Sequence, residues 1–298
     1  MKLISDIWRE KISHFEFLAI QYKSELKAAI LILLLSFSVF FFFEDRVIDP
    51  WGILNPQKFG ILLLVLSGLE LSGYIFAKLF GERNAFLIVG FFGGFVSSTA
   101  VLVSAAHSAR ISNSDSRHLV ASVLASKMAA LLELILILMI VSKSLALKLL
   151  IPIGSCFVTG ALCLWLLAKH SSSKKSKINL RSPLHVGALL KLALLMTGLL
   201  GAVASVQHWL GTQATKAVSF ATGLFELHGL SFATATMFEH GQIDQVSAIE
   251  AILLAVLASL IAKIAISWAL TSRAFASQLT LIFSMMAATM IVAFFIFS

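Results

Sequence analysis

From Leu26 to the C-terminus the chain is a succession of apolar runs parted by short polar gaps. Each run holds about 20 residues, which at about 1.5 Å per residue is enough to cross a hydrocarbon core of roughly 30 Å. Nine candidate spans follow, at about 26–43, 57–80, 85–107, 118–141, 146–168, 184–209, 215–238, 246–271 and 276–297. Only 13% of the 298 residues are charged, against about 25% in an ordinary soluble domain, so the lipid bilayer is the first partner of this surface. The reading is an all-α polytopic membrane protein of about nine transmembrane helices.

The chain divides at one basic linker. Residues 1–25 place Ile4, Ile7, Trp8, Ile12, Phe15 and Leu18 near one helical stripe, an amphipathic segment suited to the membrane surface. That segment mixes Lys2, Arg9, Lys11 and Lys23 with Asp6, Glu10, Glu16 and Glu25, and it carries no apolar core and cleavage site of a signal peptide. Residues 26–168 form a first membrane half, 169–183 the linker "KHSSSKKSKINLRSP", and 184–298 a second half. The lysines and arginine of the linker favour a cytoplasmic position, although the equally basic leader argues the other way under nine spans.

The halves repeat. "NPQKFG" at Asn55 answers "SPLHVG" at Ser182, "GFFGGFVSSTA" at Gly90 answers "GLFELHGLSFA" at Gly223, and "LASKMAALLE" at Leu124 answers "LASLIAKIAI" at Leu257. The last two blocks share an offset of 133 residues (223 minus 90). Four spans per unit is an even number, so the expectation is two parallel four-helix repeats preceded by one extra N-terminal span.

Net charge of +8 does not signal nucleic acid, because the basic residues cluster beside the spans, where anionic lipid headgroups are the counterpart. No zinc cluster, phosphate-binding loop or nucleophile elbow is present, so neither an enzyme nor a cofactor is expected. Cys156 and Cys163 lie seven residues apart on one helix, about 10 Å and beyond disulfide reach, and read as packing residues. The five tryptophans fall outside the spans or near their ends, where interfacial anchoring is the default.

Three motifs carry a family likeness: "LNP" at Leu54–Pro56, "SGLELSGY" at Ser67–Tyr74 and "GGFVSSTA" at Gly93–Ala100. In these the chain resembles the membrane domain of unknown function that forms the C-terminal half of many bacterial MgtC/SapB-type proteins, without their N-terminal MgtC/SapB domain. The resemblance implies a multi-pass protein of the bacterial inner membrane, connected with cation or magnesium homeostasis. It also implies two acidic positions in a "GLxDxDA" pattern, where this chain has Glu226 and, at the second, His228.

Charges at mid-membrane depth cost about 2.5 to 3.5 kcal/mol each on insertion scales, and each calls for a partner or a function. Six stand out: Glu70, Glu133 and Glu226 against Lys127, Lys191 and Lys263. The repeat puts Lys263 within a turn of Glu133 in depth, making them the first candidate ion pair, while Lys191 is near enough a helix start to snorkel. Glu226 and His228 stand among Gly223, Gly229, Ser231 and Thr234 and form the candidate ion or proton site. In the first half Ser97, Ser98 and Thr99 face it across the repeat, and Gly90, Gly93 and Gly94 permit either close helix packing or a broken helix. The metal, if one binds, is not specified by these residues. Two functions remain open: a cation or proton carrier with its site between the halves, and a non-transporting module, homo-oligomeric or bound to a membrane partner, in an MgtC/SapB-like system.

Overall fold

The structure is a computed structural model that describes residues 56–80, 85–111, 117–169 and 216–297, with Gly198 and scattered positions between 27 and 44. The described residues are helical, without strand. In chain order the helices are α1 (Pro56–Phe80), α2 (Ala85–Ile111), α3 (Arg117–Val141), α4 (Lys143–Lys169), α5 (Leu227–Glu239), α6 (Gln245–Leu270) and α7 (Arg273–Phe297), and residues 216–223 add a further helical run before α5. Five stretches are long and apolar enough to cross a membrane: Phe86–Ala109, Arg117–Val141, Lys143–Leu167, Gln245–Leu270 and Arg273–Phe297. Among the described residues these five, not nine, stand as candidate spans in a multi-pass membrane protein. The amphipathic leader, linker positions 170–183, the span at 184–209 with Lys191 (Gly198 apart), and the side chain of Glu70 lie outside the described residues. The span at 26–43 is described at scattered positions only.

Helix α3 is the centre of the bundle, in contact with α1, α2, α4, α5 and α7. Its apolar residues are spread over every face, with Ser122, Ser126, Lys127 and Glu133 buried among them, and from Leu119 to Leu131 every side chain is buried. Helices α4 and α7 pack on each other and present Leu147, Ile151, Val158, Leu162, Leu281, Val292 and Phe295 outward, as a lipid-facing surface requires.

Helix α2 does not run straight. Phe86 packs edge-on to His118, and Gly90 and Gly94 lie so close to α3 that a Cβ on them would sit 2.8 Å from Ser122 Cα and 2.6 Å from Ser126 Cα. Residues 86, 90 and 94 therefore advance in step with 118, 122 and 126, and this leg of α2 points the same way as α3. A straight continuation would carry Ile111 roughly 37 Å past Phe86. The six residue steps from Ile111 to Arg117 cover at most about 21 Å. The chain must turn back, and it does so at Ser97, whose extended backbone (φ −171°, ψ 109°) interrupts the helix. The Ser97 hydroxyl accepts a hydrogen bond from the Ala100 N–H at 3.1 Å and caps the returning leg.

The second half repeats this device. Lys216 is ion-paired with Glu250, and a Cβ on Gly223 would stand 2.6 Å from Ala255 Cα, so residues 216–223 run in step with α6. Six steps join Glu239 to Gln245, and the same reach argument sends α5 back along α6. The break falls at Glu226 (φ −140°, ψ 101°), whose carboxylate Oε1 accepts from the N–H groups of His228 (3.1 Å) and Gly229 (3.2 Å). After the hairpin, Asp244 caps α6 through Ser247, and the N–H and hydroxyl donated there hold its carboxyl below the usual carboxylate range.

Two expectations are corrected by this geometry. The runs at 85–107 and 215–238 are not single straight helices: each folds back on itself as a helical hairpin, the first at Ser97 and the second at Glu226. The register of the repeat also changes: Gly94 and Gly223, Ser97 and Glu226, Ala100 and Gly229, and the helix ends Val141 and Leu270 all pair at an offset of 129 (226 minus 97), not 133. The two registers differ by four residues, about one helical turn, over which an apolar pattern nearly matches itself.

Candidate functional site

The tips of both hairpins open on one cavity of about 140 Å³. Ser97, Ser98 and Thr99 line it from the first tip and Glu226 and His228 from the second, with Glu133 of α3 and Ser259 and Lys263 of α6 completing the polar wall. Each tip ends where a returning helix begins, so each presents the positive end of a helix dipole, equivalent to roughly half a charge. At the second tip that end is already met by the Glu226 carboxylate.

Two lysines are buried here, Lys127 fully and Lys263 to within 5% of its surface. Both donate to the same atom, Ser259 Oγ, Lys127 at 3.0 Å and Lys263 at 3.2 Å. A hydroxyl oxygen has two lone pairs and can accept both, leaving each ammonium with two further hydrogens to place. Opposite them stands His228, whose Nε2 donates to the Ala130 carbonyl at 3.1 Å and lies 3.8 Å from Glu133 Oε2. A carbonyl can only accept, so this bond puts a proton on Nε2, and in the neutral ring Nδ1 is then the acceptor. With both carboxylates ionised and both amines protonated, these four groups among the described residues carry no net charge.

The sequence-based candidates fall into three groups. Glu226, His228, Ser97, Ser98, Thr99, Glu133 and Lys263 line the cavity together, and Lys127 reaches it through Ser259. Glu226 is not inside a continuous helix, as its place within an apolar run suggested, but at a break that it caps itself. Glu133 and Lys263 share the cavity, with Lys263 turned to Ser259 one turn back on its own helix and Glu133 beside His228. Ser231 is elsewhere: its hydroxyl donates to the Leu227 carbonyl at 2.8 Å, inside α5 and away from the cavity. Gly90, Gly94 and Gly223 set the close packing of the hairpins, and Gly93 and Gly229 are buried beside the breaks. For the first-half glycines, close packing and a broken helix thus occur together.

Ser259 was not among the sequence candidates. Its signal is the spacing Ser259–Lys263, one helical turn, which puts a hydroxyl on the same face as a buried amine. Among the described residues no group of three or more His, Cys, Asp or Glu is arranged to hold a metal ion. Cys156 and Cys163 are free thiols on α4, in keeping with a packing role.

No curated protein and no solved structure matches the chain. Residues 64–271, more than half of its length, match the family model described as Domain of unknown function (DUF4010), and the protein belongs to that family.

Proposed function

We propose that this chain is a proton-coupled secondary carrier of the bacterial inner membrane, with its site between two inverted units. The observation that carries the reading is the meeting of two re-entrant tips on one polar cavity lined by buried amines and carboxylates. Irregular backbone is tolerated at membrane depth where it lines such a cavity, and transporters built from internal repeats place their sites there.

Inversion is supported by how the halves cross. Lys127 meets Ser259 where α3 and α6 pass near their midpoints, and Thr159 meets Thr289, with a hydroxyl–hydroxyl bond of 2.9 Å, where α4 and α7 pass near theirs. In the 129-residue register each of these contacts straddles its own symmetry-related pair. A twofold axis through both crossings lies across the bundle rather than along it, so the units face opposite ways. Residues 1–25, 26–168, 169–183 and 184–298 then serve as leader, first unit with its extra span, linker and second unit. Single cysteines at Ser114, between α2 and α3, and at Gly241, between α5 and α6, should react with an impermeant maleimide from opposite sides of the membrane. Labelling of both from one side would restore the parallel arrangement.

The ion most compatible with the cavity is the proton. Two ammonium groups and two helix N-termini oppose a bare metal cation, whereas Glu133, Glu226 and the free Nδ1 of His228 can each accept H⁺. The purified protein in liposomes under an imposed pH gradient should move protons above the background of protein-free vesicles when a transported solute is supplied. A protein that moves neither protons nor solute, and that co-purifies with a stable membrane partner, would establish the regulatory module instead. Nothing in the family match ties the chain to MgtC/SapB proteins in particular.

A further inference from the structure

We propose that the cavity takes a small oxyanion together with a proton. The inference rests on the carrier reading and names its substrate class.

The cations of the site are better placed to receive a ligand than its anions. Lys263 lines the cavity and is 95% buried, and among the described residues its hydrogen-bond partner is one shared hydroxyl oxygen, so hydrogens of its ammonium remain for a further acceptor. Lys127 stands behind that hydroxyl with its own charge. The carboxylates are more fully engaged. Glu226 holds two backbone N–H groups of its own chain, and Glu133 stands beside His228. The first tip has no carboxylate of its own. There the returning leg is capped by the neutral hydroxyl of Ser97, and its positive end, at Ser98 and Thr99, borders the cavity. Glu226 at the equivalent position of the second tip shows what that end accommodates: a carboxylate on the N–H groups of a helix start. An oxyanion between Lys263 and the first tip would occupy the corresponding place in the first unit.

Charge balance demands the proton. With Lys127 and Lys263 protonated, Glu133 and Glu226 ionised and His228 neutral, these groups carry no net charge, and an anion entering alone would leave one negative charge uncompensated at membrane depth. One proton taken from the acidic side of a pH gradient, onto Glu133, Glu226 or His228, restores balance. Neither step makes or breaks a covalent bond other than to that proton. The volume, about 140 Å³, is well below the roughly 300 Å³ at which drug-sized ligand pockets begin, and suits an ion of a few heavy atoms. A carboxylate such as acetate and a tetrahedral ion such as phosphate share this chemistry.

The test uses the full chain, purified in detergent and melted in sodium acetate, sodium phosphate, sodium chloride and choline chloride at matched ionic strength, at pH 6 and pH 8. Labelled acetate and phosphate uptake into liposomes under an inward proton gradient follows. The expected result is stabilisation by acetate or phosphate over chloride, with at least tenfold tighter apparent binding at pH 6, accumulation of the same anion, and loss of both in Lys263→Met. Should Lys263→Met fail to fold, Ser98→Leu fills the cavity without altering its charge and should remove the anion shift; an anion shift that persists there overturns the inference. Stabilisation by sodium over choline, with cation flux and no anion uptake, overturns the oxyanion and leaves the carrier. No solute effect in melting and no flux of any kind overturns both.

Discussion

Replacing Glu226 with glutamine should reduce proton-coupled flux to that of protein-free liposomes while the protein remains folded. The two roles of this side chain separate cleanly in the substitution. Its Oε1 accepts from His228 N and Gly229 N, and an amide oxygen can accept both bonds in the same position. What the amide cannot do is carry and release a proton. Glu226→Ala removes the cap as well, a loss of about 0.5–2 kcal/mol at an ordinary helix start, and should therefore melt earlier than Glu226→Gln while sharing its lack of flux. Flux in Glu226→Gln at the wild-type level, or Glu226→Gln as unstable as Glu226→Ala, would reduce Glu226 to a structural cap. The measurement is the rate of pH-gradient decay in liposomes, paired with the melting temperature in detergent.

The equivalence of Ser97 and Glu226 gives that prediction its wider meaning. Both are extended residues at hairpin tips, and both cap a returning leg with a side-chain oxygen, one neutral and one acidic. A duplicated scaffold thus holds a chemically unequal pair at its centre. The asymmetry, carboxylate on one side and hydroxyl on the other, is what lets one tip exchange a proton while the other stays open to a ligand.

How much of this was legible in the chain follows from what a helical pattern can encode. Run length and scarcity of charge announce membrane helices. The costly residues Glu133, Glu226, Lys127 and Lys263 mark themselves by their depth, and all of them converge on one cavity. The hairpins were not legible, because a helical hairpin of 27 residues such as α2 is as long and as apolar as a span, and its reversal depends on one extended residue. Ser97 and Glu226 look like interior residues until the close approaches of Gly94 and Gly223 to the following helices are known. The repeat was legible but its register was not, since a shift of one turn leaves the apolar face nearly unchanged. Ser231 was drawn into the site by the 133-residue register; at 129 it is two positions beyond Gly229, already one turn into α5, where its hydroxyl belongs to the Leu227 carbonyl.

The same close approaches set the last and largest stability effect. Gly94→Val and Gly223→Val should each destabilise by about 3 kcal/mol or more, at or above the upper end of ordinary overpacking, and in practice should abolish recovery of monodisperse protein. At both positions the obstacle to a new Cβ is backbone, Ser126 Cα at 2.6 Å and Ala255 Cα at 2.6 Å, which cannot rotate aside. The leg can only lift off its helix, taking the tip and its half of the cavity with it. Gly160 meets a different neighbour, the terminal methyl of Met286 at 3.1 Å, and a flexible thioether can yield; Gly160→Ala should cost less than about 1 kcal/mol. Gly154, inside α4, has nothing within 4 Å of the methyl group that alanine would add, so Gly154→Ala should stabilise by about 0.5–1 kcal/mol through backbone entropy and helix propensity. The expected order of melting temperatures is Gly154→Ala highest, then wild type, Gly160→Ala, and the two valine variants. Valine tolerated at 94 but not at 223 would mean that the first hairpin can detach without loss of the fold, and that the two units do not hold their tips in the same way.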